Sequence, residues 1–332
     1  MPTIHDAAAA AGVSTATVSR VINNTGPVSD AVRARVEKAI AEIGYRPNAL
    51  ARSLRTESTG TIGLIVSNIL NPFFTELARA AEDAAIDAGY TVVLGNSDER
   101  ADKENLYIRQ LLEKRVDGLI LNPADAASNY IREVADRGVP IVLIDRSVAN
   151  VNAPLVTADP APAITDLVAH LCASGFTRPA IISGPTTLKN GRDRFDAFSQ
   201  ALRLKGMELS PARVAVGDFE RESGYVAMTS LLEADLAPDV VFVSNGRMTL
   251  GALEAARARG VRIGPGGMGI AAYDDDPFYS LLTPSITAIA QPTTELGGAA
   301  MRTLLELIQG GEPARTHSLP ARLIVRESTT TP

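Results

Sequence analysis

Short continuous apolar runs alternate with longer amphipathic segments from residue 62 to residue 272, and no other feature restricts the fold of this chain as much. Apolar runs without polar alternation suit strands buried on both faces, and helix-length connections permit parallel crossovers between them. The pattern predicts strands at 62–66, 91–94, 118–121 and 141–144, with helices over 73–88, 103–114 and 130–137 between them. It restarts with a helix over 164–173 and strands at 180–183, 213–216, 240–243 and 268–272, separated by helices over 194–204, 224–232 and 250–259. A further helix is expected at 294–308. Two doubly wound halves follow, with ligands expected in the crevice outside the carboxyl ends of the strands.

The first 57 residues obey a different period. Thr3 is placed to cap a helix from Ile4 to Ala11, Gly12 breaks it, and Ser14 is placed to cap a second from Thr15 to Asn23. Two short helices joined by a glycine-containing turn form a helix-turn-helix. Asp30 is expected to cap a third helix, with Val32, Val36, Ala39, Ile40 and Ile43 on one face and Gly44 as its stop. On the second helix Val18, Val21 and Ile22 face inward, which leaves Thr15, Ala16, Thr17, Ser19 and Arg20 outward. Short side chains permit close approach to a major groove, and an arginine can bond guanine O6 and N7 together. A solvated helix face is the plainer alternative.

Charge divides at the same place. Residues 1–57 hold seven Lys and Arg against five Asp and Glu, which leaves 25 against 33 for the rest of a chain of net charge −6. A mildly basic head on an acidic body fits nucleic-acid contact by the head alone. The single cysteine, Cys172, excludes an intrachain disulfide framework. The Ala7–Ala11 run is too short and too acidic in its flank for a signal peptide, and no apolar run nears the length of a membrane span, so a cytoplasmic location is expected.

The order Val13-Ser14, Thr17-Val18-Ser19-Arg20, Asn23 and then Gly44-Tyr45-Arg46-Pro47-Asn48-Ala49-Leu50-Ala51-Arg52-Ser53-Leu54 resembles the lactose/galactose repressor (LacI/GalR) family of bacterial transcription regulators. The resemblance implies that Thr15, Ala16 and Arg20 read bases, that residues 48–55 form a hinge helix, and that Leu54 wedges into the minor groove. Asn48, Arg52 and Arg55 would join it at the DNA. Pro47 suits the start of that helix, but two turns are marginal alone in water, where isolated helices need about 12–15 residues. Pairing of two hinges on a two-fold symmetric operator would supply the missing stability.

The body looks like the periplasmic-binding-protein-like (type I) sensor of the same family. Its markers include Asn71-Pro72-Phe73-Phe74, Val116-Asp117-Gly118, Leu143-Ile144-Asp145-Arg146, Tyr273-Asp274-Asp275, Gln291-Pro292 and Leu323–Ser328. The resemblance implies one subdomain from residues 61–158 and 290–320 and a second from 159–289 and 321–332. Asp145, Asn245 and Asp274 at strand ends and Arg194 at the opening of a helix are expected to converge on the crevice. Such groups can satisfy the hydroxyls of a sugar, while Phe73, Phe74 and Phe219 offer apolar faces to its ring. Asn190 and Gln291 match pocket positions by the same resemblance. A carbohydrate is favoured over a purine. Lys189 beside Asn190 departs from the family pattern and would admit a phosphorylated or acidic sugar if it entered the pocket rim.

Other chemistry finds little support. Gly264-Pro265-Gly266-Gly267-Met268-Gly269 fits a dinucleotide-binding string but precedes a strand, so a turn is expected. His5, His170 and His317 are scattered, and no metal site, cofactor or catalytic residue is expected. The resulting expectation is a homodimeric, sugar-responsive repressor, with a transport solute-binding protein and a sugar-metabolising enzyme as the alternatives from other classes.

Overall fold

The computed structural model describes residues 2–23, 25–45, 58–234 and 237–330. It separates into two compact units, Met1–Thr59 and Gly60–Pro332.

In the first unit, α1 (Ile4–Ala11), α2 (Thr15–Asn23) and α3 (Asp30–Ile43) share one small core. Thr3 and Asp6 form a capping box, with the Thr3 amide donating to Asp6 Oδ2 at 2.8 Å, and Gly12 ends α1 in the left-handed region at φ 62°. Ser14 Oγ accepts the Thr17 amide at 3.2 Å, as a cap for α2 should. Ser29, not Asp30, occupies the cap of α3; Asp30 is the first helical residue, where its carboxylate still meets the positive end of the helix dipole. Ala7, Ala8, Ala11, Val18, Val21, Val36 and Ala39 are buried, so the tight packing relies on small residues of α1. The expected hinge helix over 48–55 lies outside the described residues.

The second unit begins with β1 (Thr61–Val66), α4 (Pro72–Asp87), β2 (Thr91–Asn96), α5 (Ala101–Glu113), β3 (Gly118–Leu121), α6 (Asn129–Asp136), β4 (Ile141–Ile144) and β5 (Leu155–Asp159). It continues with α7 (Ala161–Ala173), β6 (Pro179–Ser183), α8 (Lys189–Leu204), β7 (Val214–Val216), α9 (Arg221–Leu232), β8 (Val240–Val243) and α10 (Gly246–Ala258). Then come β9 (Gly269–Tyr273), β10 (Thr287–Ala290), α11 (Thr293–Ile308), β11 (Thr316–Pro320) and β12 (Arg322–Ile324). Two six-stranded sheets result, ordered β11-β5-β4-β3-β1-β2 and β12-β10-β9-β8-β6-β7. Every pairing is parallel except β10 with β12.

Four of these strands, β5, β10, β11 and β12, are absent from the sequence expectation, and they cluster where the chain passes from one sheet to the other. Only Ala321 separates β11 in the first sheet from β12 in the second. The helix α11 returns to the first sheet, where Leu296, Ala300, Met301 and Leu304 pack with Phe74, Leu77 and Ala81 of α4. Helices α8 and α10 begin earlier than their apolar periodicity suggests, at Lys189 and Gly246, so Arg194 sits in the second turn of α8 and does not open it. The Gly264–Gly269 string is a turn ahead of β9, as expected. Among the described residues, no helix is long and apolar enough to cross a membrane, and no cluster of His, Cys, Asp and Glu is arranged to hold a metal.

Helices α9 and α10 approach so closely that glycine is required on each side. A Cβ on Gly251 would lie 1.9 Å from the Arg221 carbonyl oxygen, and one on Gly224 would lie 2.2 Å from that of Met248. Helix propensity alone would make Gly251→Ala stabilising by about 1 kcal/mol, but overpacking against backbone outweighs it. The variant is expected to lose about 1–3 kcal/mol in urea unfolding.

Candidate functional site

The carboxyl ends of the strands in the two sheets face a common cavity. All nine crevice residues expected from the sequence line it: Phe73, Phe74, Asp145, Asn190, Arg194, Phe219, Asn245, Asp274 and Gln291. Asn71 caps α4 by accepting the Phe73 amide at 3.1 Å, which sets Phe73 and Phe74 edge to face with centroids 4.9 Å apart. Phe219 enters from the opposite side, and Gly184 makes room for it, since a Cβ there would sit 2.1 Å from the ring.

Charge is arranged around Asp145, the residue immediately after β4. It accepts from Asn190 Nδ2 at 2.6 Å and from Arg194 Nη2 at 3.5 Å, so residues of α8 reach across the crevice to it. Arg194 also donates to the Ser244 carbonyl at 2.8 Å and lies 3.8 Å from the Tyr273 ring centroid. Burial works against its charge, yet Tyr273, Asp145 and Asp274 more than offset this and raise its pKa. Asp274 is buried beside it; burial pushes its carboxyl upward, opposed by Arg194, by the Gln291 side chain at 2.6 Å and by the Gly246 amide at 3.3 Å. Gln291 thereby keeps Oε1 buried without a partner, an acceptor turned toward whatever fills the cavity.

Asn245 carries structural duty as well. Its Oδ1 caps α10 by accepting the Met248 amide at 2.8 Å, and its Nδ2 donates to the Phe219 carbonyl at 3.0 Å. Only one N–H and one lone pair of the amide are left for a ligand. Lys189 stays out of the cavity and pairs with Asp193 on the same helix, so the added positive charge entertained for the rim is not there.

Sequence reasoning left out several lining residues: Asn68, Asn71, Glu99, Arg146, Glu220 and Arg247. Arg146 is 2% exposed, makes two bonds to Glu99 at 2.6 and 2.8 Å, donates to the Pro123 carbonyl at 3.1 Å and stands 5.1 Å over the Phe219 ring. Its position directly after Asp145 was the signal available. Asn68 Nδ2 donates to Glu220 Oε1 at 2.7 Å, a second contact across the crevice, and burial raises the Glu220 carboxyl. A second cavity, about 680 Å³, shares Asn71, Phe73, Asp274 and Gln291 with the first and opens among Glu76, Asp275, Asp276 and Arg322.

In the first unit Val18 and Val21 of α2 are buried, Ala16 and Arg20 are exposed, and Thr15, Thr17 and Ser19 are half-buried. The outward set expected from the sequence therefore lies on one accessible side of α2. Asn48, Arg52, Leu54 and Arg55 lie outside the described residues.

A family model described as bacterial regulatory proteins, lacI family, matches residues 3–48, and one described as a periplasmic binding protein-like domain matches residues 168–329. The chain is 38% identical over 332 residues to the ribose operon repressor of Halalkalibacterium halodurans, covering 99% of this chain and 97% of that one. It is 35% identical to catabolite control protein A of Priestia megaterium, covering 98% of this chain and 99% of that one. Among solved structures, the Lac repressor dimer bound to operator and the anti-inducer ONPF matches with a TM-score of 0.87 at 28% identity, covering 99% of both chains. The chain belongs to the lacI family of bacterial regulatory proteins. It is a DNA-binding transcription regulator with a periplasmic-binding-protein-like sensor, and its relatives are repressors rather than enzymes.

Arg194 is the cation between two buried carboxylates, and its loss would leave Asp274 without its neighbouring cation and Asp145 with Arg146 alone, 4.0 Å away. Arg194→Ala is expected to lose about 3–5 kcal/mol of stability at neutral pH in denaturant unfolding. The loss should shrink as pH falls, because burial already pushes the Asp274 carboxyl upward and protonating it removes the uncompensated charge.

Proposed function

We propose that this chain is a homodimeric, cytoplasmic repressor whose operator affinity is set by a neutral sugar held in the crevice between the two sheets. In this reading one sensor subdomain comprises residues 61–158 and 290–320 and the other residues 159–289 and 321–332. The observation that carries the sugar assignment is the cavity itself: carboxylates, amides and guanidinium groups from both sheets converge beside three phenylalanine rings. Polar groups of this kind match ring hydroxyls, and flat apolar faces match the C–H surface of a sugar ring.

Neutrality follows from the charge inventory. Glu99, Asp145, Glu220 and Asp274 oppose Arg146, Arg194 and Arg247, and Arg146 and Arg194 already pair with Glu99 and Asp145. A phosphate taken by Arg146 or Arg194 would therefore have to displace an existing carboxylate partner and leave it buried, at a cost of several kcal/mol, while Arg247 is countered by the nearby Glu220. The name of the ribose operon repressor makes D-ribose the first compound to test.

Thr15, Ala16, Thr17, Ser19 and Arg20 would face the major groove, with Asn48, Arg52, Leu54 and Arg55 at the operator centre. A dimer suits a two-fold symmetric site, and the relative crystallised on operator is described as one. The sugar would act by population shift, since an effector moves operator affinity only through unequal binding to the two states, typically by about 1–3 kcal/mol.

Two measurements test this. Calorimetric titration with D-ribose, other neutral pentoses and hexoses, their phosphate esters and purines is expected to give binding among the neutral sugars; preferential binding of a phosphate ester or a purine would overturn the assignment. In gel shifts on a palindromic operator, Arg20→Ala should lose about 1–3 kcal/mol of binding free energy and Leu54→Ala should also weaken binding, both with sugar binding intact.

A further inference from the structure

One buried carboxylate takes no part in the cavity lining but stands directly behind it. Glu104, in the first turn of α5, is fully buried. Its Oε2 accepts the Ala124 amide at 2.9 Å, while Oε1 has no hydrogen-bond partner. Ala124 follows Pro123, whose carbonyl receives Arg146 Nη1 at 3.1 Å. One residue earlier, Asn122 ties the same loop to β1 and β4: its backbone amide donates to the Ile65 carbonyl and its Nδ2 to the Ile144 carbonyl, both at 2.9 Å. Glu104 is thus the far anchor of a short loop whose near end holds a cavity-lining guanidinium.

We propose that Glu104 is a positioning residue for Arg146, acting through the 122–124 loop, and that its protonation favours the effector-holding form of the crevice, so that effector affinity depends on pH. The second half of this statement rests on the sugar-sensor reading given above. Three charged groups face Glu104 from three different strand-end loops: Glu99 after β2, Asp125 after β3 and Arg146 after β4. Arg146 favours the ionised form, but it is already committed to Glu99 by two bonds, and Glu99 and Asp125 oppose ionisation. Burial is the largest influence, and it pushes the Glu104 carboxyl up to about 7.

The sign follows from linkage. A carboxyl raised by folding binds more protons folded than unfolded, so its ionisation penalises the folded state progressively as pH rises from the ordinary carboxylate range through about 7. An effector that fills the crevice expels water from around Arg146 and Glu99; Glu104 is out of contact with that water, but losing its polarisation lowers the effective dielectric around the buried carboxylate and disfavours the charged form. Effector binding therefore takes up protons at Glu104, and affinity falls as pH rises.

The test uses the full chain, with D-ribose as the probe in calorimetry and hydrogen exchange followed over residues 122–126. Wild-type affinity for D-ribose is expected to be about threefold to tenfold weaker at pH 8 than at pH 6, and Glu104→Gln, which keeps an oxygen for the Ala124 amide, should flatten that profile. Glu104→Ala should accelerate exchange across 122–126, whereas Glu104→Gln should not. A pH profile shared by wild type and Glu104→Gln would overturn the coupling, and unchanged exchange in a folded Glu104→Ala would overturn the anchor. If neither D-ribose nor any other neutral pentose or hexose binds at either pH while the exchange pattern holds, the sugar reading and the coupling built on it fall and the anchor stands.

Discussion

Parallel strands deliver their carboxyl ends to one edge of a sheet, and every feature of the crevice descends from that constraint. Asn68, Asn71 and Phe73 follow β1, Glu99 follows β2, Asp145 and Arg146 follow β4, and Asn190 and Arg194 follow β6. Phe219 and Glu220 follow β7, Asn245 follows β8, Asp274 follows β9 and Gln291 follows β10. The turns are sharp, and four of these residues take left-handed backbone: Glu99 at φ 56°, Asp145 at 61°, Phe219 at 71° and Asp274 at 75°. Such conformations cost a non-glycine residue roughly 1–2 kcal/mol, and they persist where neighbouring structure compels them. The Asp145 and Asp274 amides donate to Val156 at 2.9 Å and to Ile289 at 3.0 Å, so the adjoining strands β5 and β10 hold both turns.

Burying so many charges is tolerable only because they satisfy one another. Arg146 with Glu99 and Arg194 with Asp145 are pairs that would be expensive to break one partner at a time. With Arg146 and Arg194 engaged by Glu99 and Asp145, the cavity still has hydrogen-bonding capacity left over. Gln291 Oε1, buried without a hydrogen-bond partner, marks where that capacity lies. Hydroxyl groups of a ligand can answer it.

What the sequence made legible, and what it hid, follows from the same geometry. Strands buried on both faces announce themselves as runs such as Ile141–Ile144, and the head was readable from Thr3, Gly12 and Ser14 because caps are local chemistry. The edge strand β11, reading Thr-His-Ser-Leu-Pro with alternate residues exposed, carries no such run, and β12 has only three residues. β10 is buried but built from Thr, Ala and Ile in a stretch too short for periodicity to register. Arg146 and Glu99 were missed for another reason. Their role lies in a bond between residues 47 positions apart; the place of Arg146 directly after Asp145 is the one local hint, and it does not reveal Glu99 as the partner. Asn245 was found, but the sequence could not reveal that a helix cap and the Phe219 carbonyl already claim much of its amide.

Between the two sheets the chain passes only by short segments, after β5, after β10 and at Ala321. The polar bridges Asn190 to Asp145 and Asn68 to Glu220 add contacts across the crevice, and each joins groups that also line the cavity. Such bonds exchange readily with water, with a net worth of about 0.5–1.5 kcal/mol apiece. A ligand seated among the same groups gains several directional bonds at once and excludes the water that competes for them. That difference between bridges made with and without a ligand is the free energy available to bias the two halves toward one arrangement, and it is of the size that typical allosteric coupling requires.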